Sequence, residues 1–136
     1  MKTFFLVWII FLSSSLNAQI LLVPSTEYPT IQSAIDSSVD GDTVLVATGE
    51  YFENINFNGK NIILTSNFIL DSDTSFISNT ILNGSQNGRV VTISSGEDTT
   101  AQLSGFTITN GKSLYGGGIF CKNSNPVLSN LYILNH

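Results

Sequence analysis

The stretch LSGFTITNG (Leu103–Gly111) returns 25 residues later as LSNLYILNH (Leu128–His136) without a gap. Its core phrase also occurs upstream as TILNG (Thr80–Gly84), so that an asparagine recurs at positions 83, 110 and 135. Self-similarity at a period of about 25 residues is typical of stacked repeat units, each of which buries its apolar face against its neighbours. The repeated phrase therefore decides the fold that the sequence predicts.

Each copy of the phrase has the composition of a β-strand, and its alternate residues share one face. If the copies stack in parallel at about 4.8 Å, equivalent side chains superpose. Buried amides are tolerated when they bond to one another, which predicts an asparagine ladder. The predicted apolar column is Ile81, Ile108 and Ile133, and the predicted ladder is Asn83, Asn110 and Asn135.

Two other segments differ from the repeat. In YPTIQSAIDSS, the residues Ile31, Ala34 and Ile35 have helical spacing after a Thr30 cap, which predicts one short helix. The stretch Asn67–Ser78 fits the period poorly and is predicted to be a long loop. Asn58 has the wrong parity for the ladder and is predicted to lie in a turn.

Two other folds compete with a parallel stack. A leucine-rich repeat has a similar period, but Asn110 comes one residue too early for its LxxLxLxxN pattern. An antiparallel sandwich is the stronger rival, because Asn-Gly pairs between apolar residues are a hairpin signal. Hairpins do not explain a constant period, so the parallel stack is favoured.

The segment Thr30–Ser66 resembles the opening of secreted proteins of the pectin-lyase-like superfamily. The resemblance rests on GDTV (Gly41–Val44), on G-x-Y-x-E-N-I (Gly49–Ile55) and on the GGGI step (Gly116–Ile119). It implies an all-β fold, a right-handed single-stranded parallel β-helix of about 25-residue coils with a short N-terminal capping helix. It says little about activity, because one fold hosts many functions.

The N-terminus reads as a secretory signal peptide spanning residues 1–18. A short basic start precedes nine apolar residues (Phe4–Leu12) and a small-residue stretch, with cleavage predicted between Ala18 and Gln19. Nine apolar residues fall short of the roughly 20 that a spanning helix needs. The remaining residues 19–136 form the predicted β-helix domain, which we expect to be truncated at its C-terminus. The signal peptide predicts that the protein is secreted or lies at the cell surface, in a bacterial outer membrane or outside the cell.

Composition excludes some partners. The chain has ten acidic and five basic residues, so it lacks the electrostatic footprint of a nucleic-acid-binding protein. No segment after the signal is apolar enough to span a membrane. The single cysteine, Cys121, has no internal disulfide partner and is predicted to be a small buried side chain.

Candidate chemistry is sparse. The pairs Asp71/Asp73 and Asp40/Asp42 are the densest acidic groups; turn chemistry is the favoured explanation of their spacing, and Asp71 with Asp73 is kept as the metal candidate. Arg89 is predicted to be a solvated charge. Ordinary packing is the favoured prediction for Tyr115 and Phe120, and an aromatic platform for a sugar is the alternative.

These residues predict an exported repeat module for cell-surface attachment or glycan contact, with a polysaccharide as partner and no catalytic set or cofactor. The alternative is the N-terminal part of a pectate-lyase-like polysaccharide lyase or a glycoside hydrolase. Such an enzyme would have its active site outside this stretch, and as a lyase it would use calcium.

Overall fold

The computed structural model describes residues 17–134, in which short strands alternate with short helices. The helices are α1 (Ile31–Ser37), α2 (Phe68–Asp71) and α3 (Ser75–Asn79). The strands are β1 (Ile20–Val23), β2 (Thr43–Val46), β3 (Gly49–Phe52), β4 (Ile55–Asn56), β5 (Ile63–Ser66), β6 (Thr80–Asn83), β7 (Val91–Ile93), β8 (Gln102–Thr109), β9 (Ile119–Cys121) and β10 (Val127–Leu134).

The strands form two parallel sheets. The larger has seven strands in the order β1-β2-β5-β8-β6-β3, and β10 also pairs with β8. The smaller has three strands in the order β4-β7-β9. Every one of these pairs is parallel, which confirms the parallel pairing and rules out the antiparallel hairpin around Asn83.

The predicted fold class is wrong. The chain has mixed α/β content, with a seven-stranded parallel sheet, a second sheet and three helices in its described part, and it is not an all-β solenoid. The stretch predicted to be a loop forms α2 and α3 instead, and it interrupts the repeat. Because β5 and β6 both pair with β8, the strand order also departs from the order along the chain.

Strand β8 is bent at Gly105, where φ is +84°. Residues before the bend pair with β5 and residues after it pair with β6. Strand β10 copies this bend at Asn130, whose φ is 53° and which aligns with Gly105 in the repeated phrase. Glycine and asparagine are the residues that adopt this left-handed conformation most readily.

The predicted apolar column is wrong by one residue. The neighbour of Ile108 in β6 is Leu82, while Ile81 lies beside Thr107 and is only half-buried. Ile133 does pair with Ile108, yet it is 51% exposed because it lies on the last strand described. A shift of one residue exchanges the two faces of a strand, so Leu82 takes the buried place that the alignment gave to Ile81.

The predicted helix near the start of the domain is confirmed as α1. Thr30 is its N-cap and forms a capping box with Ser33, and Ile31, Ala34 and Ile35 are buried. These three side chains join the core formed by the inward faces of the sheets. The sequence pattern therefore placed both the start of the helix and its buried face correctly.

Charged side chains from later in the chain hold both ends of α1. The Glu53 carboxylate accepts hydrogen bonds from the backbone N–H groups of Ile31 and Gln32, at 2.9 and 3.0 Å. The Lys60 ammonium donates to the carbonyls of Ile35, Asp36 and Ser38 at the other end, at 2.7–2.8 Å. An anion at the N-terminus and a cation at the C-terminus match the helix dipole.

The predicted signal peptide falls almost wholly outside the described residues, of which the first is Asn17. The predicted cleavage residues Ala18 and Gln19 are described and are exposed. Within residues 17–134, no helix has the length and apolarity needed to cross a membrane.

We predict that Lys60→Met destabilises the protein by about 1–3 kcal/mol, because the carbonyls of Ile35, Asp36 and Ser38 lose a charged donor while the aliphatic stem is kept. Chemical unfolding followed by circular dichroism measures the change. Lys112→Met, on an exposed loop, is the control and should change stability by less than about 0.5 kcal/mol. Equal losses for the two variants would contradict the capping role.

Candidate glycan-contact surface

The outward face of the small sheet carries one row of polar and aromatic side chains. Asn56, Thr92 and Phe120 pair in register across β4, β7 and β9, and all three are partly exposed. The preceding residues, Ile55, Val91 and Ile119, also pair in register, and they contribute to the core. Alternation along each strand therefore presents the row to solvent.

Arg89 covers one end of this row. Its guanidinium carbon lies 3.5 Å from the centre of the Phe120 ring, a cation–π contact. Its Nε donates to the Tyr115 carbonyl at 3.3 Å, and the Arg89 carbonyl accepts from the Asn54 side chain at 2.8 Å. Arg89 is partly exposed, as a surface charge is, and the stacking on Phe120 is a contact that the sequence did not predict.

The glycine-rich loop before β9 brings Tyr115 beside this stack. Gly116 has φ +63°, and a side chain on Gly111 would overlap the Gly117 carbonyl. The loop continues the strand pairing, since Val90 and Val91 donate to the carbonyls of Gly117 and Gly118 at 3.0 Å. Close backbone approach explains the glycines, and it leaves Tyr115 76% exposed.

We call Arg89, Tyr115 and Phe120, with Asn56 and Thr92, the Arg89–Phe120 face. Aromatic rings bind the apolar faces of sugars, while guanidinium, amide and hydroxyl groups bond to sugar oxygens. Arg89 contacts both candidate platform residues, since its guanidinium lies over the Phe120 ring and its Nε donates to the Tyr115 carbonyl. Arg89 joins them through spatial proximity that the sequence did not indicate.

The predicted asparagine ladder does not form between Asn83 and Asn110. Asn83 pairs with Thr109, and its amide donates to the Glu50 carboxylate at 2.8 Å. Asn110 lies one residue further on, with φ 55°, a left-handed conformation that asparagine tolerates. Asn135 lies outside the described residues. The recurrence of asparagine at position 110 therefore reflects backbone conformation.

The carboxylates of both acidic pairs accept hydrogen bonds from backbone N–H groups, within a turn for Asp71 and Asp73 and from distant segments for Asp40 and Asp42. Asp71 accepts from the Asp73 backbone and Asp73 from the Ser75 backbone, each at 2.9 Å. Hydrogen bonds from the backbone and side chain of Ser75 hold the pKa of Asp73 below its usual value. Asp40 accepts from the Asn61 backbone at 2.8 Å. Within residues 17–134, no group of three or more His, Cys, Asp or Glu side chains could hold a metal ion.

Cys121 is exposed, so the prediction that it is buried is wrong. It pairs with Ile93 at the outer edge of the small sheet. No further strand is described beyond β9, and the side chain therefore stays uncovered on that side.

Glu97 is a buried carboxylate that the sequence gave no reason to select. It is 1% exposed and accepts from the backbone of Gly59 and Ser95 and from the Ser124 hydroxyl, at 2.7–3.0 Å. These donors lie in the loops that follow β4, β7 and β9. Glu97 thereby ties together the carboxyl ends of all three strands of the small sheet.

The environment of Glu97 favours its charged form. Burial raises the pKa of its carboxyl, but hydrogen bonds from its own backbone and from Ser95, Ser124 and Gly59 more than offset this, so that the pKa is lowered. All of these donors are neutral, and the arrangement is that of a structural anchor.

A second concave surface lies at the opposite end of the large sheet. It is an open groove of about 400 Å³ lined by the exposed side of β1 and the following loop, namely Ile20, Leu22, Ser25, Thr26, Glu27 and Tyr28. Ile20 and Leu22 contribute apolar surface, while the Tyr28 hydroxyl donates to Glu27 at 3.2 Å and the Tyr28 backbone donates to the Ser25 hydroxyl at 2.9 Å.

No protein-family model, curated protein or solved structure matches this chain. The resemblance to the pectin-lyase-like superfamily therefore stays a prediction.

The lowered pKa of Glu97 predicts a pH-dependent stability. The charged Glu97 carboxylate adds to the free energy of unfolding. This addition is fully present at pH values above the usual glutamate pKa, and it is lost as the pH falls through the lower pKa of the folded state. We expect Glu97→Gln to destabilise the protein at neutral pH and to reduce the decrease in stability that the wild type shows as the pH falls. Chemical unfolding at several pH values measures both effects. Glu27→Gln, at an exposed glutamate, should keep the wild-type pH profile; an unchanged profile in Glu97→Gln would contradict the anchor.

Proposed function

We propose that this chain is an exported module that contacts glycans through the Arg89–Phe120 face. The observation that carries the proposal is the stacking of the Arg89 guanidinium on the Phe120 ring, at 3.5 Å, beside the exposed Tyr115. It places a cation, two aromatic side chains and two polar strand residues on one solvent-facing surface.

Three features of this face support binding to an extended polymer. The row Asn56–Thr92–Phe120 runs across three strands spaced by about 4.8 Å, so its contacts are distributed along a line. The Arg89 guanidinium stacks on the Phe120 ring at the end of this row and adds a cation to it. Its residues are held by backbone pairing and by stacking, and binding therefore costs little ordering of side chains.

Export supports the same assignment. A basic start, an apolar run and a small-residue stretch precede residue 19, and a signal of that form directs a protein to compartments where glycans are accessible. The acidic composition, ten acidic against five basic residues, fits a carbohydrate surface better than a nucleic acid.

The lyase or hydrolase alternative also stays a prediction. Such chemistry needs an acidic calcium site with a base, or a pair of spaced carboxylates over the substrate. Each acidic side chain described above accepts hydrogen bonds from the protein itself. No observation in residues 17–134 favours catalysis over contact.

Binding to immobilised polysaccharides tests the proposal. The full chain is measured by biolayer interferometry against a panel of neutral and carboxylated polymers. We expect Phe120→Leu and Arg89→Lys each to weaken binding about threefold to tenfold. The first removes the ring, while the second keeps the charge but loses the planar stacking group.

Phe52→Leu is the matched control, because Phe52 is a 65% exposed aromatic side chain of β3, outside this face. It should bind as the wild type does. Binding to the panel that Phe120→Leu and Arg89→Lys leave unchanged would show that this face is not the contact surface.

A further inference from the structure

Asp42 holds the backbone of Gln19 one residue before β1. The Gln19 nitrogen donates to Asp42 Oδ1 at 2.9 Å, and the Gln19 carbonyl accepts from the Thr43 backbone at 2.9 Å. Gln19 is also the first residue after the predicted cleavage site. The residue that would begin the mature chain is therefore fixed on β2 from both sides.

The Asp42 carboxylate is built into the fold. Asp42 is 3% exposed, and its second oxygen accepts from the Val39 backbone at 2.9 Å. Its own backbone donates to the Val39 carbonyl and accepts from Ile63, both at 3.0 Å. A buried carboxylate satisfied only by neutral amides is one that a cation would stabilise further.

The bond before Gln19 is accessible. Asn17 and Ala18 are exposed and precede the strand, so an endopeptidase can reach the Ala18–Gln19 bond without opening the sheet. Hydrolysis adds the hydroxyl of water to the Ala18 carbonyl carbon and a proton to the Gln19 nitrogen. The new Ala18 carboxyl group releases its proton and the Gln19 amine takes one up, so the nitrogen that was an amide 2.9 Å from Asp42 becomes an ammonium with three N–H groups.

We propose that cleavage after Ala18 creates an ion pair between the new α-ammonium of Gln19 and the buried Asp42 carboxylate, which locks β1 onto β2 and keeps Gln19 from cyclising. The inference rests on the export proposed above. In the uncleaved chain the same contact is a neutral amide hydrogen bond, so processing itself strengthens the first strand pair.

Cyclisation is the reaction that this pair suppresses. A free N-terminal glutamine forms pyroglutamate when its α-amino nitrogen attacks its own side-chain Cδ. The new C–N bond forms, the bond from Cδ to the amide nitrogen breaks, and ammonia leaves. The attack needs the lone pair of the neutral amine, and a carboxylate 2.9 Å away keeps that nitrogen protonated.

The other groups near this site also favour a cation. Tyr28, whose side chain lies in the field of Asp42, has its pKa raised by partial desolvation, by the charge and hydrogen bond of Glu27 and by the charge of Asp42. The α-ammonium therefore enters a locally negative environment.

The test uses the full chain, expressed with its own N-terminus in a secreting bacterium and isolated by a C-terminal tag. Intact mass should show a product beginning at Gln19 that has not lost ammonia. Labelling of its α-amine at neutral pH should be about tenfold slower than labelling of the free peptide QILLV, because an opposite charge raises the pKa by about one unit or more.

Asp42→Asn should label about tenfold faster than the wild type and should accumulate pyroglutamate, and Asp36→Asn, at an exposed aspartate, should do neither. The wild-type comparison with the peptide stands even if Asp42→Asn fails to fold. If the wild-type product begins at Gln19 but its amine labels as fast as that of the peptide, or has cyclised, the ion pair is overturned. The proposed export is not affected by that result. A product beginning elsewhere overturns the cleavage site and the ion pair together.

Discussion

The left-handed bend at Gly105 is the constraint on which the large sheet depends. It divides β8 into two halves, so that β5 pairs with one and β6 with the other along a single strand. Strand β10 follows both halves because Asn130 bends in the same register. The bend also directs Thr107 toward α3, where its hydroxyl donates to the Ile77 carbonyl at 2.8 Å.

Charged side chains form hydrogen bonds with backbone groups at the ends of helices and strands, where strand pairing does not satisfy those groups. Glu53 and Lys60 bond to the ends of α1, Asp42 to the start of β1, and Glu97 to the loops after the small sheet. Each satisfies backbone or hydroxyl groups that would otherwise lose their partners on leaving water. The chain thereby uses several of its few charged side chains for structure, and the Arg89–Phe120 face is where a cation meets an exposed aromatic surface.

Local features were predictable from the sequence. The Thr30 cap with Ile31, Ala34 and Ile35 specified α1, and the turn at Asn58 followed from the parity of its neighbours; the structure places Asn58 in a turn with φ 54°. Parallel pairing of β8 with β10 followed from the ungapped match of their sequences. These predictions depend only on nearby residues or on exact repetition.

Features set by tertiary contacts were not predictable in this way. The match of TILNG to TITNG placed Ile81 beside Ile108, but β6 meets β8 one residue out of step. Helices α2 and α3 form in a stretch without a clear helical period, where Asx turns at Asp71 and Asp73 organise the chain. The roles of Glu97 and Arg89 arise from loops and strands far apart in sequence.

The bend at Gly105 is tested most directly by a double-mutant cycle with Ser66. An added side chain at Gly105 would overlap the hydroxyl of Ser66, which is fully buried, whereas at Gly88, with a similar φ of +87°, it would meet nothing. Unfolding free energies should show that Gly105→Ala costs about 1–3 kcal/mol more than Gly88→Ala. Ser66→Ala should recover part of that difference in the Gly105→Ala background. Equal losses at Gly105 and Gly88, with no recovery, would contradict the account.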